Sequence, residues 1–329
     1  MLVLRRVANL RFLLAAILLG AGAVAASAET PSAAEAPPPP PERISTIQAA
    51  ILGVIQGLTE YLPVSSTGHL ILANYWMGLT RSVDEAHRLT SGIVQSEAFD
   101  AFDVVLHAGT FLAVLGLYRK RVGQMAKGLV GRDPAGLQLL VVLVIAFIPA
   151  AGFGYAFKKL KVEEILYNPV AVAAALAVGG VLMIAIEHFF WRRRGHGDRT
   201  SDVCRVRLWQ ALVIGLAQCV ALWPGTSRSM ITILVALVIG LDMLAAAEFS
   251  FLLALPTLGA ATAYTLHKDW QQLAEHVGPL AMVVGLAVTF IVAVLAMKGL
   301  IKWLTSHGLM PFGVYRLALA AAVLAYFAA

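Results

Sequence analysis

Apolar runs of about 18–24 residues recur from end to end of this chain, the length that carries a helix across a ~30 Å hydrocarbon core. Only 13% of the 329 residues are charged and 59% are hydrophobic. A soluble domain has about a quarter of its residues charged, so the chain reads as an integral membrane protein. Strand-like alternation is absent, which argues against a barrel. The net charge of +6 is concentrated in two short loops. It therefore speaks to topology and not to nucleic acid. Two cysteines, Cys204 and Cys219, make neither a disulfide framework nor a metal-site spacing.

The first residues are a separate matter. "MLVLRRVANLR" is a basic opening, "FLLAAILLGAGAVA" an apolar stretch, and Ala26, Ser27 and Ala28 fit a small-residue cleavage site. Residues 1–28 thus read as a signal peptide, with a retained anchor helix as the alternative. "ETPSAAEAPPPPPER" over 29–43 is Pro- and Ala-rich, cannot pack, and reads as an extended linker. In either case the segment from Glu29 starts on the extracytoplasmic side.

Basic residues mark the opposite side. Arg119, Lys120, Arg121, Lys127 and Arg132 form one cluster, and Arg192, Arg193, Arg194, Arg199, Arg205 and Arg207 another. The positive-inside rule puts both loops, Arg119–Arg132 and Trp191–Arg207, in the cytoplasm. Six spans then follow at about 100–118, 135–157, 168–190, 247–266, 279–302 and 311–329. Loops near 81–97, 158–167 and 267–278 fall outside.

Two apolar regions do not fit that count. Residues 44–80 hold two helical runs broken at Pro63, and residues 208–241 hold two more, broken at Pro224 and Gly225. Each pair either crosses twice or dips in and returns. Counting alone does not choose. The pairs resemble each other: "QAAILGVIQGLTEYLPVSST" from Gln48 parallels "QALVIGLAQCVALWPGTSR" from Gln210. Gly53 matches Gly215, Gln56 matches Gln218 and, after a one-residue gap, Pro63 matches Pro224 and Ser66 matches Ser227. Further on, Phe102, Leu106 and Thr110 line up with Phe249, Leu253 and Thr257. The first copy enters from outside and the second from the cytoplasm, so the repeat, about 44–190 and 208–329, is inverted. Inverted repeats with broken helices place a binding site near the bilayer midplane, with half-helix N-termini aimed at an anion.

The residues at the two breaks suit that task. Ser65, Ser66 and Thr67 can cap a helix from about Gly68 to Met77, and Ser227 and Ser229 one through Ile239. Capping alone is the bland reading of any one of these hydroxyls. Arg228 is harder to explain blandly, because an arginine at that depth costs about 2.5–3.5 kcal/mol on insertion scales and needs a polar partner. Its planar fork suits a phosphate; an ion pair with Glu60 is the structural alternative. Glu60 lies one turn after Gln56 on the same helix face, where a carboxylate could hold a divalent cation, act as a base, or only pack. His69 is three residues past Ser66 on one helical face, within reach of its hydroxyl, a nucleophile-and-base pair in one turn. Together Glu60, Ser66, His69, Ser227 and Arg228 offer a base or cation ligand, a nucleophile and an oxyanion clamp, the parts of a phosphoryl-transfer site. Reached from lipid, such a site suits an amphiphile with an anionic head.

"QGLTEYLPVSSTGHL" and "WPGTSRS", with the flanking "AAILGVI", "QCVALWPG" and "EFSFLLALP", resemble the signatures of the bacterial undecaprenyl-pyrophosphate phosphatases of the bacitracin-resistance type. The likeness runs from about Ile44 to the C-terminus. It implies an all-α polytopic membrane fold, six transmembrane helices plus two re-entrant helix pairs in an inverted-topology repeat. It implies hydrolysis of a polyprenyl diphosphate, the C55 carrier lipid, to the monophosphate, at a site open to the periplasm in the bacterial cytoplasmic (inner) membrane. Carried over by position, Glu60, Ser66, His69 and Arg228 would be catalytic. Ser65, Thr67, Ser227, Ser229 and Thr232 would bind substrate. Glu60 and Gln56 would hold a divalent cation, Mg²⁺ or Ca²⁺. A homodimer is compatible with this reading, as is a flippase or transporter of undecaprenyl phosphate, which would need Arg228 but not Ser66 or His69. Three departures stand out: Gln at 56 in place of Glu, Met230 where a glycine often follows the motif, and the secretion-type leader with its linker.

Overall fold

The computed structural model describes residues 43–82, 93–160, 166–188 and 199–328. The expected leader, and the linker up to residue 42, lie outside the described residues. Among the described residues six helices are long and apolar enough to cross a membrane. They are α3 (Glu97–Leu117), α5 (Pro134–Lys159), α6 (Pro169–Ile186), α9 (Met243–His276), α10 (Pro279–Leu304) and α11 (Met310–Ala328). This is the architecture of a polytopic helical membrane protein, and the spans lie within a few residues of the expected positions.

Four shorter helices form two pairs: α1 (Thr46–Thr59) with α2 (Ser66–Trp76), and α7 (Leu208–Gln218) with α8 (Arg228–Val238). At 1.5 Å per residue, 14 residues reach about 21 Å and 11 residues about 16 Å, short of a ~30 Å core. A 3₁₀ turn, Cys219–Leu222, prolongs α7. The pairs are tighter than their apolar composition suggested, because the turns at 60–65 and 223–227 take residues from both flanking helices.

Three sequence expectations change. The basic stretch after the first span is not a loop: it folds as helix α4 (Arg119–Leu129), where Arg and Lys are good helix formers. Arg121 in it ties α4 to α9 and to the segment before α7, with Nε 2.9 Å from Glu248 Oε1 and Nη2 3.4 Å from Asp202 Oδ1. Residues 267–276, expected outside as loop, continue α9. The polar stretch after α2 carries two three-residue strands, Thr80–Ser82 and Ile93–Gln95, which pair antiparallel.

The two short pairs correspond residue for residue at a constant offset. Ser45 and Arg207 are the N-cap positions of α1 and α7, and each backbone N–H donates to a glutamine three residues on, Gln48 and Gln210. Ser65 and Ser227 cap α2 and α8 with φ 72° in both. Gly78 and Gly240 follow the two helices at positive φ. No gap is needed, so the one-residue gap inferred from the prolines is a misalignment. Pro63 and Pro224 sit one step apart in otherwise equivalent turns, and Ser66 is the counterpart of Arg228, not of Ser227.

Packing follows the same exchange. α1 lies along α10 as α7 lies along α5, while α3 pairs with α9 and α6 with α11. The membrane-length windows of α3 and α9 are both 61% buried, those of α5 and α10 only 22% and 33%. The first two therefore form the centre and the second two the rim. Phe102, Leu106, Phe249 and Leu253, the matched positions of α3 and α9, are all fully buried.

Candidate active site

The site grows from the two turns. Ser65 and Ser227 are the only non-glycine residues among those described with positive φ. A left-handed conformation costs a residue with a Cβ about 1–3 kcal/mol and persists where the surroundings enforce it. Here each serine accepts a backbone N–H of its own first turn: Gly68 N to Ser65 Oγ at 3.5 Å and Met230 N to Ser227 Oγ at 3.3 Å. The next residue of each helix, Ser66 or Arg228, is thereby placed at a helix N-terminus, where the dipole favours an anion.

Glu60, just past the end of α1, is the point on which both tips converge. Its Oε1 lies 2.8 Å from Arg228 Nη2. Its Oε2 accepts from Ser66 Oγ at 2.9 Å and from Gln56 Nε2 at 3.1 Å. The ion pair weighed as an alternative for Arg228 is thus formed. Arg228 also donates through Nη1 to Ser250 O at 3.3 Å and sits over the Tyr61 ring, 5.8 Å from its centroid. Gln56 Oε1 is buried without a hydrogen-bond partner.

The remaining hydroxyls brace this centre. Ser229 Oγ donates to Leu62 O at 3.0 Å, joining the two tips directly, and lies 3.1 Å from Ser227 Oγ. Thr232 Oγ1 is 2.8 Å from Arg228 O and 2.7 Å from Ser250 Oγ, fastening α8 to α9. Thr67 lies in the first turn of α2. Met230 is buried against Gly179, where it fills core volume beside the tip.

The expected contact between Ser66 and His69 is absent. His69 Nδ1 is 2.7 Å from Ser65 O, and Nε2 meets the Tyr315 hydroxyl. A carbonyl only accepts, so Nδ1 carries the proton and Nε2 accepts from Tyr315. Both ring nitrogens are therefore engaged, and the group that receives the Ser66 hydroxyl is Glu60.

Several residues here escaped the sequence reading. Tyr315 holds His69. Arg316, fully buried, donates to Gly225 O at 2.9 Å, Ala175 O at 3.0 Å and Leu176 O at 3.3 Å, and so holds the second turn. Tyr61 donates to Thr110 O at 2.7 Å, placing α3 against the first tip. The signal that could have found Arg316, and Asp103 and His107 on α3, was available: ionisable residues inside apolar spans mark functional positions by default.

Residues 49–322 match the family model of "Bacitracin resistance protein BacA". The chain is 49% identical over 278 residues to the "Undecaprenyl-diphosphatase" of Sorangium cellulosum, covering 84% of each chain. It is 42% identical over 282 residues to "Undecaprenyl-diphosphatase 2" of Rhodospirillum rubrum, covering 86% of this chain and 95% of that one. It is also 40% identical to the "Undecaprenyl-diphosphatase" of Aromatoleum aromaticum over 84% of this chain and 93% of that protein. The matched stretch contains both turns and every residue that meets at Glu60, and on that extent of likeness the chain belongs to the BacA family of undecaprenyl-diphosphatases.

Proposed function

We propose that this protein hydrolyses undecaprenyl diphosphate to undecaprenyl phosphate and inorganic phosphate, and so sustains the lipid carrier and confers bacitracin resistance. The observation that carries the reading is the convergence of Ser66, Glu60 and Arg228 at two helix N-termini, in a chain whose relatives bear the name of that activity. The short pairs act as re-entrant hairpins of an inverted repeat. Their helices are too short to cross, and the constant offset with exchanged packing partners supports the two-fold relation. The expected leader and the basic clusters support a setting in the bacterial inner membrane with this site open to the periplasm.

In the mechanism, Arg228 and the first-turn N–H groups of α2 and α8 hold the terminal phosphate. Ser66 Oγ, aligned by Glu60 Oε2, attacks the terminal phosphorus. The new Ser66 O–P bond forms as the bond to the bridging oxygen breaks, and that oxygen leaves with the bonding pair as lipid monophosphate. The hydroxyl proton passes to Glu60. Ser227, Ser229 and Thr232 keep the Arg228 turn in register, and His69 locks the Ser65 cap through its carbonyl.

A divalent cation fits the donor set. Glu60 and the unpartnered Gln56 Oε1 are hard oxygen donors, and Mg²⁺ takes one or two such groups plus substrate phosphate oxygens. Among the described residues there is no cluster of three His, Cys, Asp or Glu to cage one, so substrate would complete the shell. When bound, the cation would neutralise charge on the diphosphate.

The test is phosphate release from undecaprenyl diphosphate by the purified full chain with Mg²⁺ or Ca²⁺. Arg228→Ala should lower kcat by about 10²–10³, the usual cost of losing a charge-stabilising donor. Near-normal release from that variant would sink the clamp assignment. Transport of undecaprenyl phosphate is the second reading, favoured by the exchanged packing of the two halves. It predicts that lipid translocation survives Ser66→Ala.

A further inference from the structure

Helix α3, which packs beside the first tip, carries an acid–base pair that the mechanism above leaves unused. Asp103 and His107 lie one turn apart on α3, with His107 Nδ1 3.0 Å from Asp103 Oδ2 and 2.9 Å from Asp103 O. Both partners of Nδ1 only accept, so Nδ1 carries a proton and Nε2 is the nitrogen left to exchange one. No described residue hydrogen-bonds to that Nε2. The two side chains keep 29% and 36% of their surface open, so neither is sealed into helix packing. A histidine oriented by a carboxylate, with its far nitrogen free, is arranged for proton transfer.

Its place is set by two observations. Tyr61, next to Glu60, donates its hydroxyl to Thr110 O, and Thr110 Oγ1 donates to His107 O at 2.9 Å. The turn of α3 that begins at His107 is therefore bonded to the first tip. His107 and Glu60 also lie within electrostatic reach of each other, and Glu60 and Asp103 are the charged groups that bear on the imidazole. By contrast His69, the histidine within the motif, has both nitrogens occupied by Ser65 O and Tyr315.

We propose that His107, oriented by Asp103, is the general base that delivers water to a phosphoryl-Ser66 intermediate. The proposal rests on the hydrolase reading and adds its second half-reaction. Water attacks the phosphorus of phosphoserine, and its proton passes to His107 Nε2. The Ser66 O–P bond breaks with the pair going to Ser66 Oγ, which takes back the proton that Glu60 received in the first step. Inorganic phosphate leaves, and the Asp103 carboxylate steadies the imidazolium until it releases its proton to water. Arg228 and Glu60 then stand ready for the next lipid.

The test uses full-length protein in detergent with undecaprenyl diphosphate and Mg²⁺ or Ca²⁺. His107→Ala and His107→Gln should lower kcat by about 10²–10⁴, with KM changed less than about threefold, as for a group that acts in the chemical step. Acid-quenched His107→Ala should carry phosphate on Ser66, detected by peptide mass spectrometry. Imidazole in the buffer should restore part of its turnover and discharge that phosphate. Wild-type turnover in His107→Gln would overturn the proposal. So would loss of activity in both variants with no phosphoserine and no imidazole rescue, because His107 would then serve packing. A wild-type protein that releases no phosphate from the lipid would overturn the hydrolase reading and this proposal with it. Active wild type with unaffected His107 variants removes the proposal alone.

Discussion

Ser66 and Arg228 occupy the same place in two equivalent helices, yet they carry different chemistry to one carboxylate. The first helical residue is a hydroxyl in one copy and a guanidinium in the other. Glu60 is the residue that makes the difference useful, since its two oxygens are split between them. The Arg228 and Glu60 side chains keep only 12% and 8% of their surface exposed. Removing one partner of such a pair costs about 3–5 kcal/mol, because the other charge stays buried and uncompensated. Glu60→Gln should therefore lower the thermal midpoint of the detergent-purified protein as well as its phosphate release. The double variant Glu60→Gln with Arg228→Met should regain most of the midpoint and none of the activity. Thermal unfolding and phosphate assays on the three proteins check this. A double variant no more stable than the single one would show that the buried charge is not what destabilises.

At the level of elements, the short helix α1 is held by close backbone approach, not by bulk. A Cβ on Gly57 would come within 2.8 Å of Thr289 O and 3.0 Å of Ala293 N on α10, and one on Gly53 within 3.2 Å of Gly285 O. Small residues four apart are the usual device for such contact inside a membrane. Gly57→Ala meets backbone, so α10 must shift, at a cost of about 1–3 kcal/mol. It should also weaken activity, because Glu60 sits less than one turn further on. Gly299→Ala, with nothing within 4 Å of the new carbon, should leave both properties unchanged. Melting and turnover of the two variants side by side are the check, and equal behaviour would refute the close-packing account. This layer also shows what the sequence could carry. The six spans were legible because length and hydropathy alone define them, and the two pairs because Pro63 and Pro224 interrupt apolar runs. The register between the pairs was not legible. The prolines invite alignment with each other, whereas the equivalence lies in the backbone angles of Ser65 and Ser227. The motif residues Glu60, Ser66 and Arg228 could be listed from sequence, but the partner of Ser66 could not, since it depends on how the turn at 60–65 folds back. The nearness of His107 to the first tip escaped because it depends on α3 docking there through Tyr61.

Across the whole molecule, the last span reaches both halves of the site with two consecutive residues. Tyr315 bonds His69 behind the first tip, and Arg316 bonds Gly225 O in the second. Ala175 O and Leu176 O, its other acceptors, lie inside α6, where carbonyls already receive helical N–H bonds. Gly225 O is therefore the group most dependent on this guanidinium. Gly225 has φ 94° and Ser227, two residues on, 72°; for the serine that is a conformation it holds only while the surroundings enforce it. Burying a guanidinium in a membrane protein is costly, which implies that it does something packing alone would not. Replacing Arg316 by Met removes that burial cost and leaves one carbonyl unsatisfied, about 1–3 kcal/mol in the opposite sense. The two effects offset, so the thermal midpoint of Arg316→Met should move little. The turn, however, loses the bond that fixes where Arg228 begins its helix, and a misplacement of about 1 Å can cost 10²-fold in rate. Turnover should accordingly fall at least about tenfold in Arg316→Met, and also in Arg316→Lys, whose point charge cannot span the same acceptors. Phosphate release and thermal unfolding measured on both variants decide the matter. Full turnover in Arg316→Met would mean that the second tip holds its shape without the last span, and that α11 serves the bundle and not the site.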